Sequence, residues 1–159
     1  MLKNSFVTPL DSLRDPTTEQ VDELGSIRVI GNKVYKYVAL RTAAQTADVN
    51  ADLGDICDYD AAGYVDHTVV FDYTDGAGIG AGVVQATVDA SASADYLFWV
   101  QIAGYSVLDG DMASLTLGNR LTIKDAADGT VVACNADTEY SCGSLVSVAN
   151  DAIVCTFPW

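Results

Sequence analysis

Residues 96–104, YLFWVQIAG, constrain the fold more than any other stretch. Read as a strand, one face carries Tyr96, Phe98, Val100 and Ile102; the other carries Leu97, Trp99, Gln101 and Ala103. A strand with water on one side alternates apolar and polar residues. Here large apolar groups stand on both sides. The strand is therefore central in a closed or two-layered fold, or one of its faces meets another subunit. Of these, Trp99 as simple core is the favoured reading.

The surrounding sequence has the same β character. SIRVI and KVYKYVAL flank Gly31-Asn32, a hairpin signal. In the second run Val34, Val38 and Leu40 share a face that Lys36 interrupts, while Tyr35 and Tyr37 occupy the other. HTVVFDY, VVQATVDA, LTIKD, TVVACNA, SLVSVA and AIVCTFPW follow, separated by turn residues such as Asp128-Gly129 and Asn150-Asp151. ASASAD at 90–95 reads as a short polar linker. The expected fold is all-β: a small barrel or sandwich over residues 25–159. Residues 1–24 differ, because Pro9 and Pro16 forbid continuous regular structure. Thr17-Thr18-Glu19-Gln20 has capping-box spacing, so an extended arm ending in a short helix over 18–24 is expected.

Composition excludes several function classes. The 159 residues make one ordinary domain, half of it hydrophobic. Eight Lys and Arg stand against 22 Asp and Glu, a formal charge of −14. Phosphate binding needs a basic patch, so nucleic acid is not an expected partner. An anionic membrane surface is disfavoured for the same reason, and no run reaches the length that spans a bilayer. The first 20 residues do not read as a secretory signal, which points to a cytoplasm as the place of synthesis or assembly. Cys57, Cys134, Cys142 and Cys155 include no Cys-x-x-Cys pair, and the sole histidine is His67. Free, buried cysteines acting as small hydrophobes are expected.

Three motifs have residue types that could carry chemistry. Gly76-Ala77-Gly78-Ile79-Gly80-Ala81 fits a loose dinucleotide pattern, but it leads into a β-branched run instead of a helix. A flexible hairpin loop is the expectation there. Asp52, Asp55, Asp58 and Asp60 form an acidic cluster, and Asp58-Tyr59-Asp60-Ala61-Ala62-Gly63 reads like the start of a calcium loop, yet the ligand set is incomplete. Asp109-Gly110-Asp111 is what a tight turn requires. No catalytic residues, cofactor or metal ligands are therefore expected.

Three stretches resemble the head decoration (capsid cement) and related small virion proteins of tailed bacteriophages. They are LGSIRVIGNKVYKYVAL, ADYLFWVQIAGYSVLDGDMASLTLGNRL and GSLVSVANDAIVCTFPW. The resemblance covers residues 25–159 and specifies an architecture more than a site. It implies a non-enzymatic β module, usually trimeric, held by the major capsid protein on the capsid exterior after assembly in the host cytoplasm. On that reading Trp99 is one candidate interface anchor, and Phe6, Val7 and Leu10 of the arm are others. The alternative is a carbohydrate- or receptor-binding β-sandwich of a tail or fibre.

Overall fold

The computed structural model describes residues 16–41, 51–60, 66–72, 76–88, 96–110, 112–123, 130–135 and 139–158. Ten strands account for its regular structure: β1 (Ile27–Ile30), β2 (Lys33–Leu40), β3 (Ile56–Asp60), β4 (Thr68–Val70), β5 (Gly76–Val84), β6 (Leu97–Val107), β7 (Arg120–Ile123), β8 (Val131–Ala133), β9 (Gly143–Ser147) and β10 (Ala152–Thr156). No helix occurs among the described residues. The all-β expectation holds.

Strands β2, β4, β3, β5 and β6 hydrogen-bond in that order, and β6 returns to β2, closing a five-stranded ring. The β2–β4 pair is parallel; the other pairs of the ring are antiparallel. From β6 the sheet continues through β10, β9, β7 and β8, and β1 is added outside β2. Closure removes the ring's open edges.

The long strand β6 joins the two parts. Its residues Leu97–Ala103 face β2, Val100 and Gln101 also pair with β5, and Ala103–Val107 pair with β10. The strand runs without a break through Gly104, where the sequence reads as a stop and restart. The side-chain amide of Gln101 donates to the carbonyl of Ala103, the last rung of the ladder with β2, and to that of Tyr105 beyond it (3.2 and 2.9 Å).

Both faces of β6 are covered by its own chain. Phe98, Val100 and Ile102 enter the main core with Val38, Leu40, Ile56, Tyr59, Phe71 and Ile153. On the opposite face Trp99 packs with Tyr35 and Tyr37, under Leu24 and Ile30. Each such side chain contributes about 1.5–3 kcal/mol through burial. The second cluster is roofed by residues 16–28. Thr17 bridges Leu97 through two backbone hydrogen bonds, Gly25 N donates to the Tyr37 carbonyl, and Arg28 pairs with Asp22. Residues 18–24 form bends and a turn, not the short helix expected. Thr17 Oγ1 accepts from Glu19 N, a local turn, and the chain is pulled out along β6 instead of coiling.

The glycine run is the second correction. Residues 76–82 belong to β5 and are not a hairpin loop. A Cβ on Gly82 would stand 2.7 Å from Val100 Cβ, and one on Gly80 would stand 2.8 Å from Phe157 Cε1. The missing side chains let β5 lie close against β6 and against Phe157, just past β10. ICDYD at 56–60, read as part of an acidic loop, is the buried strand β3. Lys36 is inside the barrel and only 2% exposed. Its ammonium donates to Tyr59 Oη (2.7 Å) and the Pro158 carbonyl (3.5 Å), and burial holds its pKa below the ordinary lysine value.

The close approach at Gly82 makes a direct stability test. Gly82→Ala should cost about 1–3 kcal/mol, the range for overpacked interiors. Gly110→Ala, where an added Cβ meets nothing within 4 Å, should change stability little. Urea unfolding of both variants measures the difference; equal midpoints would mean β5 does not pack as described.

Candidate functional site: the cleft beside the acidic turn

A cleft of about 390 Å³ opens where the β1–β2 turn, the end of β5 and the C-terminal half of β6 converge. Lys33, Leu53, Gln85, Tyr105, Val107 and Asp109 are among its lining residues. The strand period places Ser106 inward and leaves Tyr105 and Val107 facing out. Opposite Tyr105 in the ladder stands Val154, also exposed.

The 52–55 turn sets one wall. Asp52 N donates to Asp55 Oδ2 (2.8 Å), and Asp55 N donates to the Asp52 carbonyl (3.1 Å). Gly54 N bonds the Val84 carbonyl, and Val84 N bonds the Asp55 carbonyl. Gly54 has φ +105°, and a Cβ there would meet Asp109 N at 2.6 Å. Only glycine lets this turn close against the 108–109 backbone. The turn leaves Leu53 exposed at the rim.

The fold divides the acidic residues into two groups. Asp58 and Asp60 lie in β3 and are buried; Asp58 Oδ2 accepts from Gly78 N (2.9 Å), and Asp60 pairs with Arg41. Asp52 and Asp55 stay outside, and the charge of Asp109, remote in sequence, is felt at Asp55. Burial pushes the Asp55 carboxyl up to about 6, with the charges of Asp109 and Asp52 adding to the rise. Asp109-Gly110 is a bend after β6; Asp111 lies outside the described residues. Among the described residues no group of three or more His, Cys, Asp and Glu is placed to hold a metal ion.

The remaining sequence candidates fall elsewhere. Trp99 is 3% exposed, with Tyr37 at 5.0 Å between ring centroids and the Arg28 guanidinium 4.7 Å from its ring centre. It lies beneath its own chain. Phe6, Val7 and Leu10 lie outside the described residues. All four cysteines are free thiols: Cys57, Cys142 and Cys155 are buried, and Cys134 is partly so. Burial raises the three buried thiols, to about 12 for Cys142 and Cys155, so they are poor nucleophiles at neutral pH. His67 packs against Gly25, and burial lowers its pKa.

Sequence reasoning missed the cleft and the open edge of β1. In β1, Arg28 and Ile30 turn toward Trp99 and its neighbours, whereas Ile27 (40% exposed) and Val29 (67% exposed) face out. Among the described strands β1 pairs only with β2. The signal was present in SIRVI, whose apolar residues occupy both faces. No family model, no curated protein and no solved structure matches this chain.

The acidic rim yields a pH prediction. A carboxyl raised in the folded state stabilises most below its unfolded value near 4, and that contribution is lost as pH rises through about 6. Asp55→Asn keeps an acceptor for Asp52 N and removes the charge. It should raise stability at pH 7–8 by on the order of 1 kcal/mol, discounted because solvent reaches this half-buried group. Near pH 4 the advantage should vanish. Urea melts at both pH values decide; an advantage that does not depend on pH would reject the proposed cause.

Proposed function

We propose that this chain is a non-enzymatic structural protein that attaches to the outer surface of a tailed-phage capsid as a trimer and stabilises the shell. The observation that carries the reading is β1. It is a terminal strand with exposed Ile27 and Val29 and a backbone edge that no described strand occupies. Monomeric proteins usually protect such edges with charge, proline or cover. A partner segment lying along β1 gains backbone hydrogen bonds from the edge and apolar contact from the two side chains.

The rest of the molecule suits a clip. The closed ring and its single main core supply a rigid body. Val21, also exposed, lies near the end of the arm, shortly before β1. The arm residues Phe6, Val7 and Leu10 precede that surface in the chain. A charge of −14 keeps the free protein soluble and favours a partner surface of opposite sign. A shell under internal pressure fails where capsomers part. A symmetric clip across those junctions multiplies each small contact.

Shells assembled without this protein should bind it on sedimentation, with ordered cryo-EM density at local symmetry axes. Val29→Glu places a charge on the edge and should weaken binding about tenfold or more without loss of fold. Wild-type protein that leaves shells bare would overturn the proposal. Unchanged binding by Val29→Glu would remove β1 from it.

A further inference from the structure

The cleft between Lys33 and Asp109 plays no part in attachment through β1, and its chemistry is specific. We propose that it is a binding site for a neutral pyranose sugar, taken as a monosaccharide or as a unit of a glycan.

Size comes first. At about 390 Å³ the cleft lies at the small end of the range for small-molecule sites, about 300–1,000 Å³. That suits one or two sugar rings and not an extended polymer segment.

Charge then narrows the class. Lys33 and Asp109 line the same cleft, and neither makes a salt bridge or a side-chain hydrogen bond among the described residues. A cationic ligand is opposed by Lys33. An anionic one is opposed by Asp109, with Asp55 close behind it. A purely apolar ligand would strip water from two unpaired charges, which costs several kcal/mol. A neutral polyol avoids all three penalties. Its hydroxyls donate to the Asp109 carboxylate and accept from the Lys33 ammonium, and charge-assisted hydrogen bonds are the stronger kind.

The apolar surfaces fit the other half of a pyranose. Tyr105 is 43% exposed on the cleft wall, an aromatic ring of the kind that stacks on the C–H face of a sugar. Leu53 and Val107, both exposed, extend that surface. The floor is fixed by the Gly54–Val84 backbone pair, so the cleft needs little reorganisation to bind. Gln85 is held by its own strand, its amide donating to the Val83 and Val84 carbonyls.

The test is a titration of ¹⁵N-labelled full-length protein, followed by amide chemical shifts. The probes are methyl glucoside, methyl galactoside and maltotetraose, with glucosamine and glucuronate as charged counterparts. Shifts should centre on Tyr105, Val107, Leu108 and Asp109, with a dissociation constant on the order of 1–10 mM for at least one neutral probe. Binding only by maltotetraose would identify a glycan chain as the source; binding by a methyl glycoside alone would identify a free sugar. Both charged probes should bind several-fold more weakly. Tyr105→Ala should abolish the shifts, and Asp109→Asn and Lys33→Met should each weaken binding about fivefold, with no loss of melting temperature. Val29→Glu should bind sugar as the wild type does, so failure of attachment and failure of this site are read separately. No shift up to about 50 mM would overturn the proposal, as would a charged probe binding more tightly than the neutral ones.

Discussion

The structure depends on one constraint: a strand that is apolar on both faces must be covered on both. β6 meets it asymmetrically. The ring wraps one face with a large core of aliphatic and aromatic side chains, and a short non-helical strap covers the other with Trp99, Tyr35 and Tyr37 beneath it. Closing the ring and folding the strap down are therefore the same requirement seen from opposite sides. The third demand on β6, pairing with β10 beyond Ala103, ties the remaining sheet to the ring.

Closure imposes its own conditions. β5 must approach β6 closely at Gly82, where a side chain would meet Val100, and must leave room at Gly80 for Phe157 and Ile123. Lys36 is enclosed because strand alternation puts it on the core side of β2, where Tyr59 and the Pro158 carbonyl take its ammonium. Asp58 and Asp60 are likewise drawn in, where the backbone of Gly78 donates to Asp58 Oδ2 and the side chain of Arg41 pairs with Asp60. A buried charged group without such partners would cost more than the strand gains. The polar interior is thus a consequence of strand period meeting an enclosed ring.

Much of this was legible in the residues. KVYKYVAL, its two faces and the Gly31-Asn32 turn are as the pattern implies, because period-2 alternation is a local property. The two-sided apolarity of YLFWVQIAG announced an enclosed strand. The glycine run and ICDYD were misread, since glycine and aspartate are poor strand formers alone and become strand residues only through their neighbours. The Thr17–Gln20 spacing signals a helix cap, but pairing with Leu97 overrides it. The cleft could not be read at all. Lys33, Leu53, Gln85, Tyr105 and Asp109 come from separate segments, and only the fold puts them side by side.

Enclosure of β6 is the claim on which the other arguments rest, and native-state amide hydrogen exchange tests it most directly. The amides of Phe98–Ile102 should exchange only through global unfolding, with a free energy equal to that from denaturant melts. Those of β8 and of residues 16–26 should exchange by local opening at lower cost. If the 98–102 amides instead exchange as fast as the strap, β6 is not enclosed and the account is wrong.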